Sequence, residues 1–309
     1  MTERLAEINA RIAGIRQLGA VVSALRGIAG ARAQQARAAL AAVDAYEAAI
    51  ADAIARAMAL QPPQAEDGAP RPDRLALVLF CAEQGFAGAF SEHVLTAAGK
   101  DLTGATLFLI GTRGQSIAAA RGISGWQAAM PASPAGIPRL ADRIAEAIYA
   151  RIVQGHIGGH IGGHIGGRIG ALDVVFTQWR SGSGSGGESG GKSGGKSGGA
   201  AVVRQRLFPL SPADFNAATP AQPPLLDLAP EQLLNELTGN YIHARLCRAA
   251  LHAFAAESEA RMTLMASARK QAERQLAALE ATGRQVRQEE ITAEIIELAA
   301  GASASRPAG

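Results

Sequence analysis

The 309 residues are enough for two ordinary domains, or for one domain with an extended element. Hydrophobic residues make up 48% of the chain but aromatics only 4%, which excludes a bulky aromatic interior and favours alanine-rich, closely packed helices. A formal net charge of +3, with no dense basic patch interleaved with aromatics, excludes the usual nucleic-acid modules.

Residues 1–60 hold no proline and read as one helix. Ile8, Ile12, Ile15, Leu18, Val22, Leu25 and Ile28 recur at steps of three or four, and Leu40, Val43, Tyr46, Ile50 and Ile54 carry the pattern on. A stripe kept up over so many turns predicts a coiled coil, on the order of 80–90 Å long. The local charge is basic: Arg4, Arg11, Arg16, Arg26, Arg32 and Arg37 face only Glu3 and Glu7. Pro62 and Pro63 end the helix.

The middle, roughly residues 70–215, alternates strand-like and helix-like runs. Strands are predicted over 75–81, 106–110, 172–179 and 201–207, and helices over 91–100, 115–121 and 138–154. Alternation of this kind predicts an α/β domain with a largely parallel sheet. Two low-complexity inserts flank the third strand. Residues 155–170 iterate His-Ile-Gly-Gly from His156, His160 and His164, and residues 181–199 are glycine, serine and lysine with one glutamate. Both are expected to be irregular loops.

Residues 230–300 open on Pro230, suited to a helix's first turn, and then lack proline. Leu233, Leu234, Leu237, Tyr241, Leu251 and Phe254 begin an apolar stripe. It continues through Met262, Met265, Ala268, Ala272, Leu276 and Leu279 to Val286, Ile291, Ile295 and Leu298. Gly239 and Gly283 are weak points, each costing about 1 kcal/mol against alanine. Two long terminal helices around a middle domain predict an antiparallel pair. Neither helix has enough large residues to bury its surface in a pair alone, so something else is expected to enclose part of it.

Three local patterns tempt a chemical reading. Gly186 to Ser193 and Gly190 to Ser197 both satisfy GxxxxGK[ST]. A phosphate-binding loop of that kind runs straight into a helix, whereas here a strand-like segment follows, and any Gly/Ser/Lys repeat generates the pattern. His156, His160 and His164 have the spacing of a helical metal face, but two glycines per repeat oppose a helix and no carboxylate or cysteine joins them. Gln84 to Gly88 lies between strand and helix without the third glycine of a dinucleotide turn, and reads as a tight turn. Cys81 and Cys247 sit far apart in apolar contexts, as buried free thiols of a reducing compartment. No nucleophile–base constellation can be read from spacing, so neither cofactor nor metal is implied. No signal-peptide pattern is present and no apolar run nears the roughly 20 residues of a membrane span. A soluble, cytoplasmic chain is expected.

The C-terminal residues Arg287, Gln288, Ile291, Thr292, Glu294, Ile295, Glu297, Leu298, Gly301 and Ala302 closely resemble the RQxxIT-x-E-[IL]-x-E-[IL]-x-x-G-A signature of F-type ATP synthase gamma subunits. Ala260–Ala268 is similar to that family's ERMxAMxxA stretch, Ile8 to Ile15 to its opening IxxRIxxV, and Gln84 to Phe90 loosely to its RGLCGxxN turn. Order and separation also agree, so the resemblance covers nearly the whole chain apart from the inserts. There are departures: the family's Thr-Lys-Ala-Met stretch is Val22 to Leu25 here, Gln84 stands for an arginine, Ala87 for a cysteine, and Ser91 and Gln271 for asparagines. They suggest a divergent branch, of the kind found in alternative F-type ATPases.

The resemblance implies a long antiparallel coiled coil of both termini with a Rossmann-like α/β domain at its foot. It implies a non-catalytic rotor inside a ring of alternating alpha and beta subunits. The foot would bind the epsilon subunit and the membrane c-ring, and the chain would reach the cytoplasmic face of the cell membrane only through these partners. Arg287, Gln288 and Thr292 match family positions that contact a beta-subunit loop; the alternative is a solvated helix face. Leu25, Ile291, Ile295 and Leu298 would form an apolar bearing; the alternative is packing between the two helices. Two other functions compete with the rotor: a coiled-coil interaction scaffold with no rotary role, and a nucleotide-binding enzyme built on the Gly/Ser/Lys segment.

Overall fold

Proline placement bounds the two long helices. Helix α1 spans Thr2–Met58, and α5 opens on Pro230 and spans Pro230–Ala304, passing through Gly239 and Gly283 without interruption. The structure, a computed structural model, describes residues 2–59, 74–157, 169–179, 200–210, 215 and 227–304. It divides into two compact units, residues 1–29 with 261–309, and residues 30–260.

In the first unit α1 and α5 pack against each other. Ile8, Ile12 and Val286 are buried, with Leu5, Leu276 and Leu279 packed around them. Arg16 pairs with Glu280 at 2.8 Å, and Arg269 donates to the Ser23 hydroxyl at 3.4 Å. Rising numbers in α1 thus meet falling numbers in α5, so the pair is antiparallel. Gly283 faces Ile8: a Cβ built there would lie 3.4 Å from the Ile8 side chain. An alanine there would meet Ile8 at ordinary van der Waals contact.

The second unit is built on a five-stranded sheet in the order β3-β2-β1-β4-β5. Its strands are β1 (Arg74–Phe80), β2 (Thr106–Ile110), β3 (Trp126–Ala128), β4 (Ile169–Gln178) and β5 (Ala201–Phe208). β1 pairs in parallel with β2 and β4, β2 in parallel with β3, and only β5 runs antiparallel, against β4. Side chains alternate across a strand, and β1 uses both faces. Ala76, Val78 and Phe80 join one core, and Leu77 and Leu79 the other. Burial on two sides is why this strand reads as an unbroken apolar run.

Helices α2 (Phe90–Ala98) and α3 (Thr112–Ala120) cover one face with Val94, Leu95 and Ala118. The other face takes α4 (Ile137–Ile157) through Leu140, Ile144 and Ile148, together with Ala36 and Leu40 of α1 and Leu246, Ala250 and Leu251 of α5. The enclosure that the two long helices lack by themselves is therefore supplied here by the sheet. A third cluster joins Ile50 and Ile54 of α1 to Tyr241 and Ala244 of α5.

Several details differ from the sequence reading. β3, a three-residue edge strand, is additional. The helix expected over 91–100 stops at Ala98, because Gly99 takes φ 58° and begins a 3₁₀ turn. The His-Ile-Gly-Gly insert is not irregular at its ends. α4 continues through His156 and Ile157, and Ile169 enters β4 by pairing with Arg74, since a ladder recruits whatever backbone lies next in register. His160, His164 and the segment 181–199 with both GK[ST] matches lie outside the described residues.

Candidate functional site

The turn between β1 and α2 is held by side chains from distant parts of the chain. The Ala82 N–H donates to the buried Ser91 hydroxyl at 3.1 Å, and the N–H groups of Glu83 and Gln84 both donate to the Glu257 carboxylate of α5, each at 3.1 Å. The Glu83 carboxylate accepts from the Thr112 N–H (2.9 Å), the Thr112 hydroxyl (2.7 Å) and the Met130 N–H (2.8 Å). It thereby serves the first residue of α3, where backbone donors are unpaired within the helix. Phe86, at φ 61°, projects from the turn with 65% of its surface exposed. Beside it lies a cleft of about 400 Å³ walled by the turn, Ser91, Glu92, Arg113 and Ile117.

A second arrangement joins α1, the end of β4 and α5. The Arg37 guanidinium lies 4.3 Å from the Trp179 ring centroid and pairs with Glu259, whose carboxylate also accepts from the Trp179 indole at 2.6 Å. A third unites residues that spacing alone leaves apart: Cys247 lies 3.9 Å from His243 Nδ1, and His243 Nε2 lies 3.0 Å from Asp142. It resembles a nucleophile array but lacks a nucleophile. Burial first, and then the Asp142 charge, push the Cys247 thiol up to about 12, so it stays protonated. Cys81 is likewise pushed up to about 12 by burial, with Glu92 and Glu257 adding to the effect, and both cysteines are free and buried.

His252 stacks on Phe176, ring centroids 5.8 Å apart, and its pKa is lowered from 6.5 by burial and by Arg248, with Asp44 opposing. The unfolded chain therefore binds a proton that the folded one resists. Stability contributed by the neutral imidazole is fully present above the ordinary histidine value and declines as pH falls through it. The urea midpoint should drop between about pH 7 and pH 5, and the drop should be shallower in His252→Gln. Equal slopes in the two proteins would remove His252 as the cause.

The residues singled out from the sequence lie elsewhere, in the first unit. Arg287, Gln288, Ile291, Thr292, Ile295 and Leu298 are all exposed and fall on one face of α5, by the 3.6-residue repeat. The Thr292 hydroxyl donates back to the Gln288 carbonyl at 2.8 Å. Ile291, Ile295 and Leu298 are 52%, 61% and 74% exposed, and Leu25 of α1 is 36% exposed. Leu18, Val21 and Ile28 extend an exposed apolar stripe around Leu25, and Ile296 adds to that of α5. Val21 and Ile296 are missing from the stripes predicted from the sequence, which mix buried and exposed members. Glu83 and Glu257, which carry no local signal, are missing from the sequence reading too. No helix among the described residues is long and apolar enough to cross a membrane.

A family model described as ATP synthase matches residues 4–304. The chain belongs to the ATP synthase family. Within this ATP synthase family, it is 37% identical over 89 residues to the ATP synthase gamma chain of Chloroherpeton thalassium, covering 29% of each chain. It is 33% identical over 100 residues to that of Chlorobaculum tepidum, covering 32% of this chain and 34% of the relative. The matches thus span about a third of the length of these curated relatives. Among solved structures, the rotor of the Euglena gracilis mitochondrial ATP synthase aligns with a TM-score of 0.57 at 8% identity, over 94% of this chain and 100% of that one. The central stalk and c-ring structure from Tetrahymena thermophila gives 0.52 at 13% identity, over 80% and 99%. This family member has the fold of the ATP synthase central stalk: two long terminal helices packed together, and a mixed α/β sheet between them in sequence.

Proposed function

We propose that the chain is the gamma-type central rotor of an F-type ATP synthase, coupling ion flow through the membrane sector to ATP synthesis or hydrolysis on other subunits. The observation that carries the proposal is the exposed face of α5, where Arg287, Gln288 and Thr292 stand beside Ile291, Ile295 and Leu298 within the gamma-like signature. Apolar side chains left this bare on a helix already packed along another face need a partner. A ring of alternating alpha and beta subunits around the helix pair supplies it. Leu25 and the three α5 residues act as bearing, and Arg287, Gln288 and Thr292 hydrogen-bond a beta-subunit loop. The 70–215 domain is the foot that meets the epsilon subunit and the c-ring, which places the chain at the cytoplasmic face of the cell membrane, peripheral to it.

The rotor contributes no catalytic acid, base or phosphate loop. It acts by differential contact: each orientation favours a different nucleotide state in the subunit it faces. Co-purification from the native host with a tag on the foot, followed by mass spectrometry and an ATPase assay, tests this. Two larger nucleotide-binding subunits with ATPase activity are expected. Elution alone or as a homodimer would return the chain to the scaffold reading. In the assembled complex, Arg287→Ala with Gln288→Ala removes polar contacts worth about 1 kcal/mol or more each, and coupled turnover should fall about tenfold. Unchanged turnover would leave this face as ordinary solvated helix.

A further inference from the structure

Three consecutive backbone donors, at Ala82, Glu83 and Gln84, find their acceptors on side chains, and two of the three go to one carboxylate 173 and 174 positions away in sequence. That carboxylate, Glu257, is only 5% exposed and sits on α5 within the same unit. Burying a carboxylate is costly unless charge-assisted hydrogen bonds compensate, and adjacent N–H groups aimed at one anion are an arrangement that does so. The connection continues beyond the turn. Glu83 passes it to Thr112 at the start of α3 and to Met130 after β3, while Arg32 of α1 reaches the Gln84 side chain at 3.4 Å. The turn so held carries Phe86 in the left-handed region, a conformation an aromatic residue keeps only where its surroundings over-determine it.

We infer that Glu257 is a positioning residue through which α5 holds the Glu83–Gly88 turn, so that helix, turn and sheet move as one piece when the helix is driven. The inference rests on the rotor reading for what drives the helix. The clamp is a polar connection from α5 to the turn that follows β1, and it grips backbone. It therefore resists sliding of the helix along the sheet, which close-packed alanines such as Ala253 and Ala256 do not resist directionally.

The test uses the assembled ATPase with Glu257→Ala and Glu257→Gln, and reads two quantities. One is amide hydrogen exchange at Glu83 and Gln84. The other is ion pumping per ATP hydrolysed. Alanine should speed exchange at both amides about tenfold or more, the size expected for loss of a charge-assisted hydrogen bond on each, while the β1 amides remain protected. Pumping per ATP should fall about threefold or more, with hydrolysis itself maintained. Glutamine keeps an acceptor and should restore part of both losses, and it stands in where the alanine variant fails to assemble. Exchange unchanged at Glu83 and Gln84 would overturn the clamp. Faster exchange with undiminished pumping would overturn its coupling role. If the wild-type chain brings down no ATPase partner, the rotor reading fails by that result alone, and the exchange measurement on the isolated full chain still decides the clamp.

Discussion

Gly114→Ala is expected to destabilise the sheet-bearing unit by about 3 kcal/mol or more. Gly114 lies in α3 directly over Cys81, and a Cβ built on it would stand 2.0 Å from the Cys81 Cβ and 3.0 Å from its sulfur. Neither side has room to give. The Gly114 N–H donates to the Ala82 carbonyl at 3.0 Å, and the Cys81 N–H to the Ile110 carbonyl at 2.9 Å, so both backbones are pinned to the end of the sheet. Relief requires lifting α3 off the strand or breaking one of these bonds. Cys81→Gly removes the opposing atoms and leaves the Cys81 Cα at 3.4 Å, near ordinary contact. The double variant should therefore be more stable than Gly114→Ala alone, even though Cys81→Gly by itself loses buried contacts. Urea unfolding followed by tryptophan fluorescence reads all four proteins. A Gly114→Ala midpoint close to wild type would mean that the contact relaxes freely.

Asp173→Ala should cost about 2–3 kcal/mol, against less than about 1 kcal/mol for Asp101→Ala. Asp173 is the buried centre of a charge cluster on the α2 side of the sheet: its side chain is 4% exposed, and it pairs with both Arg204 and Arg206 of the neighbouring β5. Arg204 also reaches Asp101 at 2.6 Å, but that carboxylate is 42% exposed. The two arginine side chains are 34% and 52% exposed, so water relieves part of the penalty when Asp173 is removed. This keeps the expected cost below that of a fully buried pair. The antiparallel register places Asp173 opposite Arg206, so the cluster also favours one alignment of β5 over its neighbours. Equal losses for the two substitutions in urea unfolding would show that burial is not what gives Asp173 its weight.

Much of the architecture was legible because the sequence punctuates itself. The proline-free ends bound two helices, and the observed Thr2–Met58 and Pro230–Ala304 follow those limits closely. The strand expected over 106–110 is β2 as found, since Thr106 and four apolar residues between a glycine-bearing turn and Gly111 leave little choice. β3 escaped notice because three residues cannot establish a period. Its existence depends on Phe108–Ile110 offering a ladder to Trp126–Ala128.

The candidate contact face was legible by resemblance, through Arg287 to Ala302, but not by pattern. An apolar repeat at steps of three and four says that a helix has a stripe, not which members of it a partner covers. Val22 is 7% exposed while Leu18 and Ile28 are 54% and 52%, although all three belong to one repeat. A two-helix contact is narrower than the stripe, and the remainder stays bare.

By itself, then, the sequence determined the local order of this protein: the extent of the two long helices, which apolar runs become buried strands, and which family signature its C-terminal residues carry. Those depend on proline, glycine and apolar period, which act within a few residues. Only the tertiary structure decided which apolar side chains remain exposed. It also decided that β5 turns back against β4, and that Glu257 reaches the amides of Glu83 and Gln84. Those outcomes join residues tens to hundreds of positions apart. A carboxylate on a helix reads the same in sequence whether it meets water or two backbone donors.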